Sequence, residues 1–497
     1  MTDPEEVEVA SWLEGQAERR IDTACARVFL TPERAFKIKR RVELGYLDYS
    51  TLELRRWALD RELRFNRAAA PDIYRTVRTI SRAADGGLEF DGDGEPVEFA
   101  LEMRRFDENA VLAAQPWAVD GALADSLGRT VAGFHASAAL RPQGGGGRAL
   151  KFTIDSNAHL LRDLAPRLGA ERVEAVVAAT DAAFFTHQAL LDARAVGGFA
   201  RHCHGDLHLG NILLEDGRPI LFDCIEFNDT LSDVDVQYDI AFLLMDLDFR
   251  RRRDAAVRVL SAYLDEAARS FGPELWDGLA ALPLMLAVRA AVRAHVWAHS
   301  GDDAAASAYL DTALAHLSPP PPRLAAVGGL SGTGKSTFAR LIAPGLGASP
   351  GAVVLRTDEV RKRLMGVPPD SRLPATAYGP GFYEQVYDTL FSEAAQALAA
   401  GRAVVLDATF ISPELRGRAG ALARRAGVPF AGVWLEAPAE ILAARIGARH
   451  GDASDATVET LQMQIDREVG DIAWTRVDAS GPAAEAAEAW SHLQTSV

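Results

Sequence analysis

Two kinds of hydrophobic pattern follow each other along the chain and predict its layout. Short strand-like segments come first, at Arg27–Leu30, Ala35–Ile38 and Val97–Met103, and the polar turn Asp91–Gly94 predicts a hairpin among them. After Asp120 the pattern changes to long stretches rich in alanine and leucine, which are typical of helices. The first 317 residues are therefore expected to form two lobes, a strand-rich one followed by a helical one.

A proline run marks the boundary between two domains. Pro319–Pro322 cannot continue a helix and favours a stiff, extended spacer, and directly after it Leu324–Val327 is an apolar run that leads into glycines, as at the start of many α/β domains. We therefore expect a first domain at residues 1–317, with a small lobe to about 108 and a large lobe from about 109, a linker at 318–322 and a second domain at 323–497. The two domains are expected to be separable and only modestly coupled.

The composition is that of a folded, acidic protein. Of the 497 residues 48% are hydrophobic and 25% charged, which excludes disordered, collagen-like and coiled-coil classes, and the length calls for more than one domain. Because 69 acidic residues face 53 basic ones, the net charge is -16 and the average field repels nucleic-acid backbones and anionic lipids. The charge therefore disfavours a nucleic-acid partner.

Neither export nor a membrane anchor is predicted. The acidic start of the chain lacks the basic region and apolar core of a secretory signal. The apolar stretch Leu279–Val288 is followed by Arg289 and Arg293, so it is too short to span a bilayer. The chain has three cysteines, none in a CxxC spacing, which argues against a disulfide framework or a cysteine-based zinc site. We expect a cytoplasmic protein.

A first set of polar residues has the spacing of a phosphotransferase catalytic loop. Asp206 is followed five residues later by Asn211 and then by an apolar run, and Asp223 ends a second apolar run 12 residues further on. Phosphoryl transfer needs a carboxylate that orients the acceptor hydroxyl and ligands that hold Mg²⁺ on the phosphates. The spacing predicts Asp206 as the base, with Asn211 and Asp223 as metal ligands. A zinc site at the adjacent residues 202–204 is disfavoured, because neighbours in a chain rarely converge on one ion.

This segment, His-Gly-Asp at 204–206 and Asn211 followed by Asp223, resembles the aminoglycoside phosphotransferase family, also called the choline kinase-like group. The resemblance covers most of residues 1–317 and implies a bilobal, protein-kinase-like α+β fold that uses ATP and Mg²⁺. It implies that Lys37 grips the α- and β-phosphates and that Glu62 is its partner on a helix. Lys39 points to the same strand face and stays an alternative.

Two departures from the family pattern stand out. No glycine-rich loop precedes Lys37, since the corresponding stretch Thr23–Ala26 has no glycine. The metal-binding Asp223 is followed by Cys-Ile-Glu, which makes Glu226 a further candidate for a metal or substrate contact. The first departure weakens the case for clamping of phosphate by backbone groups in this half.

A second set of residues matches a P-loop. Residues 329–336 fit GxxxxGK[ST] between a predicted strand and a predicted helix, which is the context that this motif requires. Backbone N–H groups then surround the phosphates at a helix N-terminus, the lysine neutralises charge on the β- and γ-phosphates, and the Ser336 hydroxyl binds Mg²⁺. The residues predicted to bind nucleotide are Gly329, Ser331, Gly332, Thr333, Gly334, Lys335, Ser336 and Thr337.

The residues downstream of the P-loop point to a kinase. Asp358 and Arg361 follow one apolar run, Asp407 ends another in a Walker B-like position, and Arg445 and Arg449 stand four residues apart on a predicted helix. The aromatic residues between 378 and 387 form either a loop that caps an acceptor or part of the core packing, and the sequence leaves both open.

In this order the residues resemble the small P-loop kinases of the gluconate kinase, polynucleotide kinase and zeta-toxin type, over residues 323 to about 475. That resemblance implies an α/β fold with a parallel sheet. It implies Asp358 as the base for the acceptor, Arg361 as a substrate contact, Asp407 as a ligand to water on Mg²⁺, and Arg445 or Arg449 as lid residues.

Taken together, the two sets predict a bifunctional ATP-dependent kinase in which each half phosphorylates a hydroxyl of a small molecule. Two alternatives stay open. The first half, lacking the glycine loop, would be a nucleotide-sensing regulatory module, or the second half would be a polynucleotide or toxin-type kinase. The sequence identifies neither acceptor and leaves the oligomeric state open.

Overall fold

The structure of the chain is a computed structural model, which describes residues 4–23, 25–44, 47–448 and 454–495. It begins with a small lobe built on a six-stranded antiparallel sheet in the order β1-β2-β3-β8-β6-β7. The elements of this lobe are α1 (Pro4–Glu14), β1 (Arg19–Asp22), β2 (Ala26–Leu30), β3 (Arg34–Lys39), β4 (Glu43–Leu44), β5 (Leu47–Asp48), α2 (Leu52–Ala69), β6 (Tyr74–Arg82), β7 (Leu88–Phe90) and β8 (Pro96–Arg104).

The early strand predictions agree with β2, β3 and β8, but the predicted hairpin turn at Asp91–Gly94 joins strands that are not paired. It connects β7 to β8, whereas β6 lies between these two strands in the sheet. The hairpin in this region is instead the one from β6 to β7, with its turn at residues 83–87. A local turn signal shows where the chain reverses but carries no information about which strand it returns to.

The large lobe that follows is mainly helical. Its elements are α3 (Gly121–Ser137), α4 (Gly147–Asp163), α5 (Ala165–Leu168), α6 (Ala170–Val196), β9 (Ala200–His202), β10 (Ile212–Glu215), β11 (Arg218–Leu221), α7 (Asp229–Ser232), β12 (Asp233–Asp235), α8 (Val236–Phe249), α9 (Arg253–Ala267), α10 (Leu282–His299) and α11 (Asp303–Leu317). The stretch Pro273–His299 is apolar and long enough to cross a bilayer, but 78% of its apolar 18-residue window is buried within the protein. Here its apolar residues form part of the lobe's core.

The last part of the chain is a five-stranded parallel sheet in the order β14-β15-β13-β16-β17. Its elements are β13 (Leu324–Gly329), α12 (Lys335–Ile342), β14 (Val353–Arg356), α13 (Thr357–Leu364), α14 (Pro380–Ala399), β15 (Val404–Asp407), α15 (Pro413–Ala426), β16 (Phe430–Glu436), α16 (Ala439–Gly447), α17 (Val458–Ile465), β17 (Thr475–Asp478) and α18 (Ala483–Thr495). The central strands β15 and β13 and the edge strand β14 are buried throughout, as expected when other elements cover the faces of a parallel sheet.

The two halves of the chain are in contact with each other, and the strength of their coupling stays a prediction. Helix α9 packs on β14, and one buried apolar cluster includes Leu260 of α9 together with Val353 and Leu355 of β14. Polar contacts add to it, since the Val354 N–H donates to Ser261 Oγ at 3.1 Å. The proline run, predicted as a stiff spacer, therefore joins two halves that are packed against each other.

Candidate active sites

The kinase-like cleft assembles its first charged residues from three elements. The Lys37 ammonium group on β3 lies 2.6 Å from Glu62 Oε1 on α2 and 3.1 Å from Asp223 Oδ1, which follows β11. Burial opposes the charge of Lys37, but Asp223 and Glu62 outweigh it and hold the pKa of the lysine well above its usual value. A permanently charged lysine beside a half-exposed carboxylate is suited to hold phosphate and metal together.

Lys39 has a different environment, which separates the two candidate lysines. Its ammonium group is 1% exposed and lies 2.7 Å from Glu62 Oε2 and 2.5 Å from Glu226 Oε1. Tyr49 donates to the same Glu226 oxygen at 3.1 Å. The structure thus places Lys37 beside the predicted metal ligand and Lys39 in a buried cluster, where Glu226 binds Lys39 and Tyr49.

Glu62 forms ion pairs with both lysines. Burial alone would raise the pKa of its carboxyl group, but Lys37 and Lys39 outweigh burial and lower that pKa to about 2. Helix α2 is therefore tied by one carboxylate to two positions on β3.

In the catalytic loop, Asn211 Nδ2 donates to Asp206 Oδ2 and to the Asp206 carbonyl oxygen, both at 2.9 Å. His208 Nε2 lies 3.4 Å from the same carboxylate, which is 39% exposed. Burial would raise the pKa of Asp206, but His208, His204 and Arg289 outweigh it, and the pKa lies well below its usual range. An ionised carboxylate of this kind can accept a hydrogen bond from an acceptor hydroxyl and orient it.

A buried carboxylate that the sequence analysis missed supports this loop. Asp239 on α8 accepts hydrogen bonds from the backbone N–H groups of His204, at 3.1 Å, and Gly205, at 2.8 Å. Arg289 donates to the Gly205 carbonyl oxygen at 2.9 Å. Asp239 lies more than 30 residues from the loop in sequence. Its helix has the apolar pattern of a core helix, so no local sequence signal identified Asp239 as a partner of the loop.

Asp239 also takes part in a cluster of potential metal ligands. One ligand atom each of His135, Cys203 and Asp239 lie within 4.8 Å of one another, all buried. His135 is 3.0 Å from both Asp239 and the Tyr263 hydroxyl. Since Asp239 already receives two backbone N–H groups, these contacts are those of a support for the catalytic loop.

In the second half, the P-loop runs from β13 into α12, as the motif requires. Gly329, Gly332 and Gly334 adopt φ values of 139°, 87° and 83°, a region that side chains other than that of glycine rarely adopt. Lys335 Nζ donates to the Leu330 carbonyl oxygen at 2.9 Å, so its ammonium group folds back over the loop. The glycines are thus required by the backbone conformation that a phosphate-binding loop uses.

A residue of α17 contacts this loop. Gln464 on α17 accepts a hydrogen bond from the Ser331 N–H at 2.8 Å. The sequence analysis did not identify Gln464, because a single glutamine on a short helix carries no motif.

The predicted metal ligands of this half come together at one guanidinium group. Arg356, at the end of β14, donates to Ser336 Oγ at 3.0 Å and to Asp407 Oδ2 at 3.1 Å. A hydroxyl and a carboxylate oxygen within reach of one cation fit Mg²⁺, which prefers oxygen ligands and keeps several waters. The chain's own residues therefore suit the metal that the P-loop motif implies.

Asp358 and Arg361 lie on α13, directly after β14. Burial, reinforced by Asp407, raises the pKa of Asp358 above its usual value, although Arg356 opposes the shift. Arg361 is buried, donates to the Ala377 carbonyl oxygen at 2.7 Å and stacks over the Tyr378 ring at 4.7 Å.

The predicted capping loop at residues 378–387 is only partly a loop. Tyr378 ends a short 3₁₀ helix and donates to Asp455 at 2.8 Å, but α14 begins at Pro380, so Tyr383 and Tyr387 are helical. Tyr387 is buried in the core. Beyond Tyr378 the loop prediction is wrong, because Pro380 at the first position of a helix favours helix initiation as readily as a turn. For Tyr387 the alternative of core packing holds.

The two arginines predicted for the lid have different outcomes. Arg445 on α16 donates to the carbonyl oxygens of Ala479, Ser480 and Gly481 at 2.7 to 3.0 Å. It lines a cavity of 240 Å³ that also borders Thr337 at the start of α12. Arg449 lies outside the described residues.

Comparisons with known proteins match each half of the chain to a family model. Residues 48–282 match the model of the phosphotransferase enzyme family, and residues 324–468 match an AAA domain model. An uncharacterised protein of Mycobacterium tuberculosis H37Rv is 32% identical over 480 residues, which cover 93% of this chain and 92% of the relative. A protein of Mycobacterium bovis matches equally well.

Solved structures resemble each half separately. A gluconokinase from Sinorhizobium meliloti 1021 matches with 23% identity and a TM-score of 0.23, covering 34% of this chain and 88% of that one. A choline kinase from Cryptosporidium parvum Iowa II matches with 11% identity and a TM-score of 0.40, covering 63% of this chain and 94% of that one.

Proposed function

We propose that the chain, which belongs to the family that joins a choline kinase-like phosphotransferase domain to a P-loop kinase domain, is a two-site ATP-dependent kinase. Each half would transfer the γ-phosphoryl group of ATP to a hydroxyl of a small molecule. The support is that each half contains its own residues for phosphate, for metal and for an acceptor hydroxyl. A cytoplasmic location agrees with this use of ATP and stays a prediction.

In the kinase-like half, Lys37 would hold the phosphates, and Asn211 with Asp223 would hold Mg²⁺. When bound, Mg²⁺ supplies positive charge to the phosphate oxygens that gain negative charge during transfer. Asp206 would orient the acceptor hydroxyl and accept its proton. The low pKa of Asp206 means that the proton moves late in the reaction, when the hydroxyl has become acidic.

In the P-loop half, Lys335 and the backbone N–H groups of the loop would bind the phosphates, while Ser336 and Asp407 hold Mg²⁺. Asp358 would act as base for the acceptor. Its raised pKa makes it a stronger proton acceptor than an ordinary aspartate. Arg361 would contact the acceptor.

Arg445 is better assigned to the nucleotide than to the transferring phosphoryl group. Its guanidinium group is held by backbone carbonyl oxygens in the wall of the cavity beside Thr337. Such a cavity, next to the start of the helix that follows the P-loop, suits the base of ATP.

The single observation that carries the proposal for the kinase-like half is the meeting of Lys37, Glu62 and Asp223, three residues widely separated in sequence. The test is ATP consumption by the full chain with pooled hydroxylated metabolites. It compares the natural protein with Asp206→Ala, with Lys335→Ala and with the double variant. Arg418→Gln, which removes a surface ion pair with Asp388, is the matched control.

Each single variant is expected to lose the consumption that depends on one subset of metabolites, and the double variant to lose both. Consumption that persists undiminished in the double variant would refute the proposal. Adding labelled oligonucleotides as acceptors to the same assay tests the polynucleotide kinase alternative.

One observation supports the alternative that the kinase-like half is a regulatory module. The connection from β1 to β2 is short, and Thr23 closes it with a hydrogen bond from its N–H to the Ala26 carbonyl oxygen at 2.9 Å. No glycine is available there to bring backbone N–H groups onto phosphate. If the Lys335→Ala chain binds ATP but consumes none with any acceptor, the kinase-like half is a sensor.

A further inference from the structure

Arg356 links the predicted metal ligands of the P-loop half to a third group. Its side chain is 4% exposed, and besides Ser336 and Asp407 it contacts Glu359 Oε1 at 3.0 Å. Mg²⁺ would need the same two oxygen atoms of Ser336 and Asp407. A guanidinium group and a metal ion cannot both occupy the space between these atoms. Metal binding must therefore move Arg356 away from Ser336 and Asp407. Glu359 is the carboxylate that can still bind the displaced guanidinium group.

Glu359 in turn lies at the contact between the two halves. Arg340 on α12 is 3.8 Å from Glu359 Oε1, and Arg129 on α3 of the kinase-like half is 4.0 Å from it. Arg340 also reaches across to Asp125 on α3, at 3.4 Å, where Arg258 on α9 is bound as well. One series of charged side chains thus runs from the metal ligands of one half to two helices of the other.

Two other cations lie close to Arg340. Burial lowers the pKa of Arg340, and Arg356 and Arg258 lower it further, while Asp125 and Glu359 raise it. If Asp125 loses its charge, Glu359 is the carboxylate that remains beside Arg340. Arg340 would then compete with Arg356 for Glu359.

We propose that Arg356 is a positioning residue that competes with Mg²⁺ for Ser336 and Asp407, and that the charges between the two halves set this competition through Glu359. The inference rests on the proposed function of the P-loop half and adds that its uptake of Mg²⁺ is regulated. Through this connection, the kinase-like half influences how readily the P-loop half takes up its metal.

The directions of the effects follow from the contacts. Arg356→Gln removes the competing cation, so less Mg²⁺ should be required. Glu359→Gln removes the site that receives Arg356, so more Mg²⁺ should be required. Asp125→Asn directs Arg340 onto Glu359 and should act in the same direction as Glu359→Gln, but more weakly.

The experiment measures calorimetric binding of ADP to the full chain at a series of Mg²⁺ concentrations. All proteins carry Asp223→Ala, which is expected to weaken nucleotide binding by the kinase-like half, and the same chain with Lys335→Ala supplies the baseline. The quantity compared is the Mg²⁺ concentration that gives half of the gain in ADP affinity. We expect it to fall about fivefold in Arg356→Gln and to rise about threefold in Glu359→Gln and about twofold in Asp125→Asn.

A merely structural role would weaken metal binding in every variant. A change in the same direction in Arg356→Gln and Glu359→Gln, or no change in Asp125→Asn, therefore overturns the proposal. If Arg356→Gln does not fold, Arg356→Lys is measured instead, with a smaller fall expected and a rise overturning the proposal. Arg418→Gln should leave the Mg²⁺ requirement unchanged. If Lys335→Ala leaves ADP binding intact, it is the proposed function of the P-loop half that fails.

Discussion

The two candidate sites would bind phosphate with different parts of the polypeptide. The kinase-like half brings together side-chain charges, with the part-buried Lys37 and the buried Lys39 both paired to Glu62, and its sequence has no glycine loop before Lys37. The P-loop half would use backbone N–H groups, in a short segment whose Gly332 and Gly334 have positive φ values. The first site is therefore assembled by tertiary structure, and the second is largely encoded in one stretch of sequence.

This difference has an energetic consequence. Buried charges lose their hydration, and attraction to their partners offsets this cost only while every partner is present. Removing one residue of the cluster therefore leaves an uncompensated charge. A loop of backbone donors has no such dependence on distant residues. We therefore expect substitutions in the first site to affect both folding and activity, and substitutions in the second to affect activity alone.

The largest expected effect tests whether the kinase-like half is an enzyme at all. Asp206→Asn should lower its phosphoryl transfer by about 10²–10⁴-fold, since the amide cannot accept the acceptor proton. ATP affinity should change only a few-fold, because the residue contacts the acceptor. Steady-state kinetics with the acceptor found in the metabolite screen, together with calorimetric titration of ATP, check this. A large loss of ATP affinity would show that Asp206 serves the nucleotide.

The next effect is on stability and is specific to the side-chain site. Glu62→Gln should destabilise the small lobe by about 3–5 kcal/mol at neutral pH, because it leaves the buried Lys39 and the part-buried Lys37 without their shared carboxylate. Urea unfolding monitored by hydrogen exchange in β3 and α2 measures it. A loss below 1 kcal/mol, about the value of a surface ion pair, would contradict the comparison.

The same carboxylate predicts a pH dependence. Its pKa is lowered from 4.5 to about 2 in the folded protein, so its stabilisation is complete above about pH 4.5 and is lost as the pH falls towards 2. The natural protein should show this loss in its small lobe, and Glu62→Gln should be flatter over the same range. Equal slopes in the two proteins would show that Glu62 is not the group responsible.

For the backbone site, Lys335→Ala should lower the activity of the P-loop half by about 10²–10³-fold without altering stability. Its ammonium group contacts loop carbonyl oxygen and, by the proposal, phosphate. Turnover and thermal unfolding of the full chain, measured in an Asp206→Ala background, check both parts. A drop in the unfolding temperature similar to that of Glu62→Gln would remove the distinction between the two sites.

The smallest expected effect separates two glycines of the P-loop. Gly334→Ala should cost about 1–2 kcal/mol of nucleotide affinity through its positive φ alone, since nothing lies within 4 Å of the added Cβ. Gly332→Ala should weaken binding further, because its Cβ would lie 2.7 Å from the Leu442 carbonyl oxygen. ADP titration of both variants measures the difference. Equal affinities would show that the loop moves freely away from α16.

The sequence was most informative where chemistry is local. The P-loop motif and the spacing from Asp206 to Asn211 each lie within one short segment, so residue types alone predicted both the turn and its chemistry. Both families were also predicted, and the comparisons confirm them. The roles of the individual residues stay predictions.

Where the contacts are long-range, the sequence was silent or misleading. Asp239 reads as a core helix position, and Arg356 as the end of a strand, yet one holds the catalytic loop and the other binds both predicted metal ligands. The proline run predicted a stiff spacer between two domains but did not reveal that α9 packs on β14. Local patterns predicted which segments bind phosphate. Only the tertiary structure decided which distant charges meet, because burial makes an ionised side chain costly unless another part of the chain supplies its partner.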